Sequence, residues 1–108
     1  MTNYLANLDG LRSEVAAMSE KQQFDRLVEL TAQLRLAREK WQQLFSQADP
    51  DNKGEMAALL DQTHELDQQI SDLKICLEEA GQLDLKDPKF YQGLDQAVHE
   101  QIKASEAD

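Results

Sequence analysis

Cysteine occurs once in these 108 residues, so Cys76 has no intramolecular disulfide partner and no second thiol with which to hold zinc. Aromatic residues are 6% of the chain, with 4 glycines and 2 prolines. Strands draw on aromatic and β-branched residues joined by glycine-rich turns, so this scarcity argues against a sheet-rich fold. No apolar run approaches the roughly 20 residues that span a bilayer. Positive charge is also short, with 11 Lys and Arg against 21 Asp and Glu and a formal net charge of −10. A phosphate backbone is bound by clustered Lys and Arg, which makes nucleic acid a poor partner. Met1-Thr2-Asn3-Tyr4-Leu5 has neither the basic start nor the apolar stretch of a signal peptide. The expectation is a reducing, cytoplasmic location with no membrane insertion.

What is present suits helices. Leu, Ala, Gln and Glu are abundant, and the apolar residues recur at alternating spacings of three and four. Tyr4, Leu8, Leu11, Val15 and Met18 predict a first helix over about 3–18, weakened by Gly10, with Ser19 and Glu20 as a restart. Phe24, Leu27, Thr31, Leu34, Arg38, Trp41, Phe45 and Ala48 then predict a second helix over 20–48. A second seam through Leu30, Ala37 and Leu44 widens its apolar face beyond that of a dimeric coiled coil, so it should touch two neighbours. A charge at Arg38 is tolerable only at a wet rim or beside a carboxylate. Trp41 and Phe45 near the hairpin tip, with Met56 opposite, read as core or contact residues, with core the default for such a stripe.

Asp49-Pro50-Asp51-Asn52-Lys53-Gly54 ends that helix, because Pro50 lacks an amide hydrogen and the other residues suit turns. Asn52 and Glu55 have the spacing of a capping box at the start of a third helix. Met56, Leu59, Thr63, Leu66, Ile70, Leu73, Leu77 and Ala80 carry it over 55–80, and Gly81 supplies its C-terminal cap. A short turn between two rods of roughly 40 Å folds them antiparallel. Charge agrees, since residues 20–48 sum to +1 (five basic, four acidic) and residues 55–80 to −6 (one basic, seven acidic). The hairpin register places Arg35 and Arg38 near Glu65 and Gln68. Asp87 caps and Pro88 opens a fourth helix over 88–104, striped by Tyr91, Leu94, Val98 and Ile102 with Phe90 alongside. The sequence thus predicts one all-α domain over 1–108, a small bundle built on a long antiparallel helical hairpin with two shorter flanking helices.

Chemical motifs fail on inspection. Counting Asp49 as the first position of a calcium loop puts Gly54 correctly at the sixth, but Lys53 and Leu60 stand where ligands belong. His64-Glu65 starts a metalloprotease motif whose second histidine is Gln68. Asp61 and His64 imitate only half of a di-iron pair. His64 and His99 therefore read as surface residues, and Cys76 as a small half-buried side chain. No phosphate loop or nucleophile elbow is present, so neither catalysis nor a cofactor is expected. What remains is protein binding through amphipathic helices.

Phe24-Asp25 with Leu27, Val28 and Leu30, then Leu34, Arg35 or Arg38, and Leu44, followed by Leu59-Leu60 and Leu66-Asp67-x-x-Ile70-x-x-Leu73, resemble the FliT family of flagellar export chaperones. The likeness covers a little over half of the chain. It implies a cytoplasmic helical bundle without catalysis that binds the C-terminal part of the filament-cap protein and holds it unassembled for export. It further implies that the last helix covers the binding surface, giving Tyr91, Leu94, Val98 and Ile102 a gating or partner-binding role. The Asp-Pro-Asp-Asn turn and the fourth helix depart from the family pattern. The competing expectation is a structural protein that homodimerises through the hairpin's wide apolar face.

Overall fold

A computed structural model of the chain describes residues 2–47 and 50–107. Four helices run in the order α1 (Thr2–Ala17), α2 (Glu20–Gln47), α3 (Lys53–Ala80) and α4 (Pro88–Ala107), and no strand occurs among the described residues. The fold is the expected small all-α bundle. Expectations resting on the side chain of Tyr4, on Ala48 and on Asp49 lie outside the described residues.

The helices begin and end for local reasons. Ser19 caps α2: its hydroxyl accepts from the amide of Gln22 at 3.1 Å, and the Gln22 side chain accepts from the Ser19 amide at 2.8 Å. Two N-terminal amides are satisfied reciprocally, and the chain breaks cleanly at Met18 and Ser19. The corresponding box expected at Asn52 and Glu55 does not form. Pro50–Asn52 is a short 3-10 turn, and Asn52 ends it with φ −85° and ψ −2°, without the extended backbone an N-cap uses. Its side chain donates back to Gln47 at 3.3 Å instead, and α3 starts at Lys53, two residues ahead of expectation. At the other end Gly81 adopts φ +74° and its amide donates to the Leu77 carbonyl, as a left-handed cap requires. Asp87 caps α4 by accepting from the amide of Lys89 at 3.0 Å.

α2 and α3 share the largest helix interface, forming the antiparallel hairpin. Each has 28 residues, about 42 Å of helix, which accounts for the 46 Å long axis of the molecule. The flanking helices cross over: α1 lies against α3 and α4 lies against α2. The core sits at the open end of the hairpin, where both connections arise. α1 contributes Leu8 and Val15, α4 contributes Leu94 and Val98, and Leu27, Leu73 and Leu77 lie at its centre. Leu83 and Leu85 of the connecting segment also pack onto it, so α4 is anchored at its start.

Threonines in the seams cost little, since the Thr31 hydroxyl donates to the Leu27 carbonyl and that of Thr63 to Leu60, each at 2.7 Å. The core does not reach the closed end. From Arg38 to Gln47 and from Asp51 to Ala58 no described residue is buried.

Candidate binding surfaces

One face of the hairpin carries Thr31, Leu34, Arg35, Arg38, Trp41 and Phe45 of α2 beside Lys74, Ile70, Asp67, Thr63 and Leu60 of α3. The spacings of three and four keep each row on one side of its helix. α4 occupies the proximal half of this face. Leu94 and Val98 lie in the shared core, Ile102 is half-buried against it, and Tyr91 stays 40% exposed at the rim. The four residues expected to gate a site therefore divide: two are core anchors, one is partly covered, and one faces solvent.

Two contacts not anticipated from sequence fix α4. The ring of Phe90 meets that of Phe24 edge to face at 5.8 Å, and Arg35 donates to Asp95. Tyr91 in turn meets Phe90 at 5.3 Å and lies beneath the Lys74 ammonium, 5.5 Å from the ring centre. Between α4 and the hairpin runs an open groove of about 560 Å³, with Leu34, Ile70 and Leu94 on its apolar side and Arg35, Asp67 and Asp95 at its rim.

The expected partners of Arg35 and Arg38 shift accordingly. Arg35 turns to α4, while Arg38 bridges to both carboxylate oxygens of Asp67 at 3.2 Å. Arg38 thus sits at a wet rim beside a carboxylate, which meets both conditions for a charge in the seam. Lys40 pairs with Glu55 farther along the hairpin at 3.5 Å.

Past the Arg38–Asp67 pair the same face is uncovered. Trp41 is half-buried and stacks on Phe45 at 5.2 Å, yet Phe45 is 64% exposed and Leu60 is 47% exposed. A shallow groove of about 180 Å³ joins Trp41 and Leu60 to Arg38, Gln42 and Thr63. Core placement of Trp41, Phe45 and Met56 was the sequence expectation. It fails because α1 and α4 are shorter than the hairpin and are rooted at its other end, leaving this stripe without a partner helix.

The opposite side of the molecule is sealed by polar contacts. Arg12 of α1 donates to both oxygens of Glu79 at 2.6 and 3.1 Å and to Asp9 at 2.7 Å. These hydrogen bonds hold the Glu79 carboxyl below the usual glutamate range and make the guanidinium harder to deprotonate. Burial, followed by the nearby Glu79 charge, raises the Cys76 thiol above its ordinary value. His64 and His99 are exposed, and among the described residues no three His, Cys, Asp or Glu side chains converge as a metal site requires. No helix of the described residues is long and apolar enough to cross a membrane. No family model matches the chain, no curated protein matches it, and no solved structure matches it.

Proposed function

We propose that this chain is a non-catalytic, cytoplasmic protein-binding module that holds an amphipathic helix of a client. On the residues that resemble the flagellar export chaperones, the client is the C-terminal part of a filament-cap protein, kept unassembled for export. The observation that carries the reading is the seating of α4. It packs on α2 beside an open groove, with Leu94 and Val98 in the shared core, and its ion pair with Arg35 is exposed. A client helix with the same apolar spacing would take over the contacts that α4 makes.

The energetics permit exchange. Uncovering Leu94 and Val98 costs about 3–6 kcal/mol, Phe90, Ala97 and Ile102 add to it, and an incoming helix that buries equal area offsets the sum. Tyr91 at the exposed rim would be the first α4 contact to meet the client, while Leu94 and Val98 would be displaced. The homodimer reading has less support, because α1 and α4 already occupy much of the hairpin's wide apolar face.

The test is co-purification of the full chain with the C-terminal segment of a filament-cap protein. A complex at micromolar concentration that protects Leu34 and Ile70 from solvent exchange, and exposes α4 amides, is expected. Absence of any complex at that concentration would overturn the assignment of the client.

A further inference from the structure

We propose, on the reading that a client replaces α4, that the seat of α4 selects an acidic helix. Arg35 of α2 and Lys74 of α3 recognise an Asp or Glu that follows an apolar anchor as Asp95 follows Leu94.

α4 is the template for the occupant. Phe90, Leu94, Val98 and Ile102 recur every four residues and form one row, packed in or against the core. Tyr91 and Asp95 are also four apart and form the adjoining row at the rim. The hairpin meets each member of that second row with a cation. Lys74 lies over the Tyr91 ring at 5.5 Å, and Arg35 donates to Asp95. Any amphipathic helix can supply the area of the apolar row, so the rim row is where the hairpin tells one helix from another.

The charge of the seat follows from what α4 takes away. Asp95 leaves with the helix, and the charged side chains that still line the groove are Arg35, Lys74 and Asp67. Asp67 already accepts from Arg38 through both oxygens at 3.2 Å, so it is not available to the other two cations. Glu39 and Glu78 follow Arg35 and Lys74 by four residues, but acid after base is the weaker order for a helical pair. Neither pair forms here. The vacated seat is therefore cationic, Arg35, Arg38 and Lys74 against Asp67, on a chain whose net charge is −10. An acidic row on the client complements it, whereas a lysine row would face like charge.

The probes are two labelled synthetic helices of about five turns. Both carry Phe, Leu, Val and Ile at the spacing of the α4 row; one has glutamate in the adjoining row and the other has lysine. Each is titrated by fluorescence anisotropy into the full chain bearing Asp95→Asn, which removes the hold of α4 on Arg35. The Asp95 side chain is 66% exposed, so circular dichroism should match the parent. The glutamate helix should bind at micromolar concentration, with an affinity about fivefold or more above that of the lysine helix. Such a preference runs against the net charge of −10, so it reports the seat and not the chain as a whole. Adding Arg35→Glu should reverse the preference, and Arg35→Lys, which keeps the charge, should retain it.

Equal affinity for the two helices, or a preference that Arg35→Glu does not move, would overturn selection by charge and leave the client reading standing. Binding of neither helix would overturn both. A dimer of the host chain that excludes the peptides would assign the seat to α4 of a second copy, and would overturn the proposal as well.

Discussion

The side-chain nitrogen of Gln23 lies 3.1 Å from the carbonyl oxygen of Val15, deep in the core and with no solvent exposure at Gln23. The same nitrogen donates to the Met18 carbonyl at 3.3 Å and to the Gln82 side chain at 2.9 Å. One buried amide thus ties the end of α1, the start of α2 and the segment after α3. Its own oxygen, Oε1, is buried without a partner. The isosteric Gln23→Glu replaces the donor with a carboxylate facing carbonyls. At neutral pH this should cost roughly 3–5 kcal/mol, the range for an uncompensated buried charge. Burial raises such a carboxyl, so the folded form keeps its proton longer than the unfolded chain. The deficit should therefore be small below about pH 4.3 and grow as pH rises toward the folded value. Urea unfolding of both proteins at pH 4 and pH 7 checks the sign; a deficit that shrinks as pH rises would refute it.

Arg12 and Glu79 join α1 to α3 at the surface. Because the folded-state carboxyl of Glu79 is lowered, its stabilising contribution is present above the unfolded glutamate value and is lost as pH falls through the folded one. Arg12→Gln should lower the melting temperature at pH 7 in dilute buffer. The two proteins should converge in strong acid, and also in high salt, because both side chains are solvent-accessible. A difference that persists at low pH would assign the effect to packing of the arginine stem.

Cys76 reports the docking of α1. The thiol is 2% exposed and its ionisation is suppressed mainly by burial. Disulfide reagents should react far more slowly with the native chain than with the unfolded one. Val15→Ala removes buried methyl groups from the α1 side of the core, at a cost within about 1–3 kcal/mol, and should accelerate labelling well before global unfolding. Equal labelling rates in the two native proteins would show that α1 is not what shields the thiol.

Periodicity made the four helices and the hairpin legible, since unbroken three-four spacing from Met56 to Ala80 admits no other regular structure. The caps at Gly81 and Asp87 were legible because each residue does locally what its type favours. Ser19 and Gln22 have the same capping-box spacing and form the box, while Asn52 and Glu55 have it in a place where the 3-10 turn that includes Asn52 overrides it. The candidate surfaces were harder to read. A seam pattern says that Trp41 and Phe45 face inward along a helix, but not whether another helix is long enough to cover them. Gln23 was invisible for a different reason: its value lies in carbonyls brought together only after folding.

Leu66 tests the hairpin itself. It is 5% exposed in the middle of α3, and Leu66→Asp combines loss of a buried leucine, at about 2–5 kcal/mol, with a charge in the seam. The sum approaches or exceeds the about 5–15 kcal/mol that typical domains possess, so the variant should lose its helical circular dichroism at neutral pH. Leu34→Asp should behave alike. Phe45→Asp, at an exposed site, should remain folded. Near-native melting of either core variant would refute the seam assignment.

Gly93 separates α4 as a cover from α4 as an ordinary core helix. It lies inside α4, and a β-carbon there would meet nothing within 4 Å. Gly93→Ala should therefore stabilise the helix by about 0.5–1 kcal/mol without repacking. If α4 unwinds as it yields its groove to a client, the same energy opposes binding, and affinity should fall about two- to fivefold. Gly10→Ala is the control, because its β-carbon is equally unobstructed and α1 lies on α3, away from the α4 groove. Both variants should melt a few degrees higher. Only Gly93→Ala should weaken the client complex; equal affinity of both variants and the parent chain would show that α4 keeps its helix, or its place, when the client binds.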